Sequence, residues 1–303
     1  MDVPGQTVAL ETLTAGVLLA LVIVFLVPNC RAARSSAAKM QATASPQQGA
    51  QELVKKMVAN ELKCENGDKT HWRFRKVDVK PGKSETWDVI ETRNGEIGRL
   101  LAVDGHQLTQ QEREADQARL HSLLRSASEE AAKKKSAGTD SNKEQQLLGM
   151  LPNALVYQYA GKDGDLIKLT FKPNPSFHAA TREAEVFHHM AGELVINGKR
   201  MRLAQLSGWL ISRVNFGYGL LGHLNKGGTF EVKQGMVTKD HWDMTLLDTE
   251  LTGKALFFKT ISVREKLIEF DYQRVPDSLT LEQAAQILEK SSADRSPTPV
   301  KGS

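Results

Sequence analysis

From Thr70 onward the side chains repeat with a period of two. Trp72 and Phe74 alternate with Arg73 and Arg75, and similar runs recur along the chain, each closed by a short turn. Asn94-Gly95 joins residues 86–91 to 97–103, and Asn197-Gly198 joins 185–196 to 200–213. Both residues of such a turn must tolerate positive φ, which makes Asn-Gly a strong hairpin signal. Lys162-Asp163-Gly164-Asp165 separates residues 155–159 from 166–171, and residues 229–237, 242–251, 254–261 and 266–272 extend the series. Strands joined this tightly cannot be parallel, because parallel neighbours need a long crossover. The chain is therefore expected to be α+β, with a large antiparallel twisted sheet (an open or half barrel) covered by a few helices.

The helical period appears in three places. Leu53, Val54, Met57, Val58 and Leu62 share one face, with Glu52, Lys55, Lys56 and Glu61 opposite. Thr109-Gln-Gln-Glu112 is a capping box opening a charged helix through Leu120, Leu123 and Leu124. A second box, Thr280-Leu-Glu-Gln283, opens a helix bearing Ala284, Ile287 and Leu288. The polar residues 126–143 are expected to fray into a loop before the apolar patch Leu147, Leu148, Met150 and Leu151.

Residues 12–30 carry no charge. As a helix they would span about 28 Å at ~1.5 Å per residue, close to a ~30 Å hydrocarbon core. Leu13, Val17, Leu21, Phe25 and Val27 would form the membrane anchor. A cleaved signal fits less well, since only Asp2 and Glu11 precede the run and Ala42-Thr43-Ala44 lies far beyond it. A lipoprotein signal would acylate Cys30, yet Val27-Pro28-Asn29 lacks the small residue expected before it. Arg31, Arg34 and Lys39 follow the span, so the positive-inside rule places the remainder in the cytoplasm. The expected layout is an anchor or signal segment at 1–30, a flexible linker at 31–50 and a single antiparallel β domain at 51–290. That domain would carry a helical insertion at about 108–150 and be followed by a disordered tail at 291–303.

Forty Lys+Arg against 36 Asp+Glu leave a net charge of +4, too balanced to argue for nucleic acid. Lys133-Lys134-Lys135 reads as a solvated helix face. Two cysteines, Cys30 and Cys64, exclude a disulfide-dense scaffold and a four-cysteine zinc site. Gly217-Tyr-Gly219-Leu-Leu-Gly222 matches the dinucleotide fingerprint in letters, but a strand pattern follows it where a helix is needed. Gly82-Lys83-Ser84 lacks the earlier glycine of a phosphate loop, because Val77 stands there. His188 and His189, being adjacent, would point to opposite faces of a strand, and neither His178 nor His223 has a spacing that requires a metal. No cofactor and no metal are expected.

In residues 202–211, apolar side chains fall on both faces of the strand, so the second face needs a helical cover or remains a concave apolar surface. Trp209 and Ile211 are candidates for contact with an apolar ligand, and Phe216, Tyr218, Leu220 and Leu221 for a gating loop. The element order resembles the LolA/LolB/RseB group of bacterial envelope proteins over about 51–290. The stretches 227–232, 242–247, 253–259 and 274–276 look like those of uncharacterised bacterial envelope proteins grouped near that fold. The resemblance implies an incomplete barrel closed by helices, with a lipid or lipoprotein as partner and an extracytoplasmic location, against the positive-inside reading. The expected function is then a membrane-tethered envelope protein that binds an apolar ligand without catalysis. Two alternatives stand beside it: a non-catalytic interaction or sensor domain with a filled core, and a hydrolase using scattered residues such as His188, Asp243 and Asp248.

Overall fold

The computed structural model describes residues 30–31, 46–67, 70–133, 139–181, 183–216, 222–255 and 259–292. In chain order the elements begin with β1 (Cys30–Arg31), α1 (Pro46–Gly67), β2 (His71–Lys80), β3 (Lys83–Thr92), β4 (Gly95–Val103), β5 (His106–Gln107) and α2 (Gln110–Lys133). They continue with α3 (Thr139–Ala154), β6 (Leu155–Asp163), β7 (Leu166–Pro173), a 3-10 helix (Glu183–His189), β8 (Met190–Asn197) and β9 (Arg202–Leu210). The last are β10 (Val214–Phe216), β11 (Gly222–Leu224), β12 (Thr229–Met236), β13 (His241–Ala255), β14 (Lys259–Val275) and α4 (Leu281–Ser292). The fold is α+β, a mostly antiparallel sheet with a few helices, as the run of short turns implies.

The chain divides into two compact units, one of residues to Asp68 plus Thr139–Arg264, the other of Lys69–Gly138 plus Glu265 onward. In the second unit the strand order is β5-β4-β3-β2-β14. Asp104 and Gly105 both have positive φ (48° and 77°), the geometry of a tight hairpin turn between β4 and β5. Both capping boxes form as read: Thr109 N donates to Glu112 Oε2 at 2.7 Å, and Gln283 N donates to Thr280 Oγ1 at 3.2 Å. Between helices and strands, Ile90, Ile97, Leu120, Ala284 and Leu288 form one buried cluster. The amphipathic α4 closes it with the face that its 3.6-residue period predicted.

In the first unit the order is β13-β12-β9-β8-β7-β6, all antiparallel. Leu247, Val232, Leu206, Leu194 and Leu169 stand in register across five strands and are all buried. Helix α1 lies against α3, β6 and β9, with Val54 and Met57 fully buried. Burying side chains such as these stabilises by roughly 1.5–3 kcal/mol each.

Three local expectations need correction. Helix α1 starts at Pro46, inside the stretch read as linker, because Pro suits the first helical turn and Gln and Ala propagate it. Helix α2 runs to Lys133 rather than fraying after Ser126, since Ser-Glu-Glu-Ala-Ala-Lys is mostly strong helix former. Residues 183–189 form a 3-10 helix, not the start of a strand, and it buries Ala184, Val186 and Phe187. Among the described residues no helix is long and apolar enough to cross a membrane. Leu13, Val17, Leu21, Phe25 and Val27 lie outside the described residues, as do Tyr218, Leu220, Leu221 and most of the tail.

Candidate functional site

The strand period of two gives the first unit's sheet two unlike faces. The row Thr249–Phe230–Gly208–Gly192–Phe171 faces the same way as the leucine row and packs inward. The rows on either side of it face outward. One is Asp248–Glu231–Ser207–Glu193–Thr170, and the other is Glu250–Thr229–Trp209–Ala191. Together they line an open groove of about 680 Å³.

Close backbone approach makes the floor of this groove. A side chain on Gly192 would run into the Ser207 carbonyl oxygen, and one on Gly208 would lie 2.8 Å from Phe230 Cζ. The Phe230 ring therefore fills the inner side of Gly208, while Trp209, the next residue, stands 50% exposed on the outer side. Val79, Leu123 and Tyr159 are also exposed, but of these four side chains Trp209 alone lies in the lining of this groove. The lining holds four carboxylates (Glu193, Glu231, Asp248, Glu250) and no basic residue. Gln205 Nε2 donates to Glu231 Oε1 at 3.0 Å, Lys233 Nζ lies 3.1 Å from the same oxygen, and Arg264 reaches Glu250 at 2.7 Å from outside the groove. The Arg264–Glu250 pair is exposed and holds its carboxylate weakly, while the Lys233–Glu231 pair is only partly exposed.

The other sequence candidates separate. Ile211 is half-buried, and Phe216 is buried on β10. Gly222 opens β11, a strand, so the helix that a dinucleotide site requires does not follow the glycines. His188 packs its ring 5.5 Å from that of Phe177, while His189 Nδ1 lies 2.8 Å from Ser212 Oγ. Burial lowers the His189 pKa, with repulsion from His188 adding to it. Asp243 is buried with its Oδ2 3.1 Å from His241 Nε2, whereas Asp248 faces the groove. His188, Asp243 and Asp248 thus stand in three different settings. Among the described residues no group of three His, Cys, Asp or Glu side chains could hold a metal ion.

The alternation along β9 already put Gln205, Ser207 and Trp209 on one face of the chain. The carboxylate row carries no such signal, because its members come from β8, β12 and β13 and meet only through register. Comparison of the chain with protein-family models, with curated proteins and with solved structures finds no match.

Proposed function

We propose that this is a membrane-tethered, non-catalytic binding protein of the bacterial cell envelope, and that its partner docks on the outward face around Trp209. The half-exposed indole over a groove of about 680 Å³ carries this reading. The inward face is occupied by packed leucines and helix α1, which favours an interaction domain with a filled core over a carrier that swallows its ligand beneath the helices. Of the partner classes implied by the resemblance to LolA-like proteins, a lipoprotein suits this carboxylate-lined face better than free lipid, and the uncharged run at 12–30 supplies the tether.

Sidedness has its own support. Cys64 is disulfide-bonded, and disulfides persist in oxidising compartments. That weighs for an extracytoplasmic domain and against the orientation suggested by Arg31, Arg34 and Lys39. Limited labelling tests the docking surface: Thr229→Cys, which faces Trp209 across the groove and leaves the indole in place, is alkylated with a maleimide before and after incubation with envelope extract, on a background that keeps the native disulfide. Protection of that thiol, absent for a cysteine placed at exposed Glu114, is the expected result. Equal labelling at both positions under all conditions removes the proposal.

A further inference from the structure

We infer that the partner presents a basic polypeptide segment to this groove, with lysine or arginine side chains meeting the carboxylate row and an aliphatic stem or ring lying on Trp209; this rests on the reading that the Trp209 face is the docking surface. The charge pattern argues it. Asp248 and Glu231 are cross-strand neighbours, and Glu193 stands two strands beyond Glu231 in the same row. Adjacent strands are ~4.8 Å apart, so the row spreads its charge over about 14 Å, the reach of a short peptide crossing the strands. Glu250 adds a fourth carboxylate one pleat away, level with Trp209.

A ligand with phosphate groups, whether nucleic acid or an anionic lipid headgroup, would meet like charge along the whole row. A purely apolar ligand would have to desolvate carboxylates that it cannot pair. A cation avoids both costs. Lysine and arginine also place methylene stems beside their charge, and a cation over an indole face gains a further attraction. Arg264 holds Glu250 through an exposed pair, so an incoming cation exchanges partners there at little cost, and Glu231, already shared by Lys233 and Gln205, keeps lone pairs for a further donor.

Calorimetric titration of the folded protein with decalysine tests this. Binding should be measurable at 50 mM salt and fall at least tenfold at 500 mM, because exposed charges are screened over a few ångströms there. Glu193→Gln with Glu231→Gln should weaken it at least tenfold, and Trp209→Ala severalfold, with the thermal midpoint of each variant reported as a fold control. Decalysine binding that ignores the double substitution overturns the inference. Preference for an uncharged amphipathic peptide or for phosphatidylcholine vesicles, lost on Trp209→Ala, also overturns it while leaving the docking surface standing. If neither probe responds to Trp209→Ala, both readings fall.

Discussion

Glu61 on α1 accepts a hydrogen bond from Arg202 Nε at 2.9 Å, and neither side chain is more than 4% exposed. The same carboxylate accepts from Leu203 N at 2.7 Å, and the Arg202 guanidinium lies 5.9 Å from the Trp242 ring centroid. Helix α1 is thereby tied to β9 at one point by charge and elsewhere by packing. Glu61→Ala should cost about 3–5 kcal/mol in urea unfolding, because it strands a buried guanidinium. Glu61→Leu with Arg202→Met should cost far less or even stabilise, since Arg202 Nη1 and Nη2 are buried with no acceptor among the described residues.

The glycines beneath the groove make a sharper test of close approach. Gly192→Ala forces its methyl group into the Ser207 carbonyl oxygen and should destabilise by about 1–3 kcal/mol or more. Gly235→Ala on β12 has nothing within 4 Å of the new carbon and should be close to neutral. Thermal midpoints of the two variants should therefore differ by several degrees.

Acid should weaken the first unit through His189. Its folded-state pKa lies below the ordinary 6.5 because burial disfavours the imidazolium. A lowered pKa gives stability that is present above pH 6.5 and lost as the pH falls through the folded value. His189→Gln keeps a polar partner for Ser212 and removes the titration. The urea midpoint of the variant should drop less between pH 7.5 and pH 5 than that of the wild type; equal drops contradict the assignment.

Helix α4 depends on its cap. Thr280 accepts from Gln283 N at 3.2 Å and donates its own N–H to Gln283 Oε1 at 3.0 Å. Thr280→Ala should cost about 1 kcal/mol, and Leu288→Ala, which opens the buried cluster, about 2–5 kcal/mol. Denaturant unfolding distinguishes these magnitudes directly.

What the sequence made legible was local chemistry. Both capping boxes are written within four residues and the structure repeats them, whereas the Asn94-Gly95 hairpin turns one residue earlier, at Arg93-Asn94, with Gly95 already paired to Thr92 and alone of the two at positive φ. Residues 183–189 misled because Ala184 and Val186 alternate with Glu183 and Glu185, as in a strand, while the backbone turns into a 3-10 helix that buries the consecutive pair Val186 and Phe187. Helix α2 outran its expected end because Glu, Ala and Lys, though mostly polar, are strong helix formers. The groove was half legible: Trp209 and its face follow from alternation along β9. The carboxylate row was not, because its register passes through irregularities at Val195/Ile196 and Lys233/Gln234 that shift which residues meet.

Strand β6 ends the first unit's sheet, and its pairing with β7 slips between Tyr159 and Gly161, with Lys162 just beyond. A nine-residue rim of this kind invites another chain to extend the ladder, and a kink followed by a cation is how sheets discourage that. The irregularity therefore works against edge-to-edge pairing of two copies at this rim. Deleting Ala160 would straighten the rim and should make the protein precipitate at a lower concentration than the wild type.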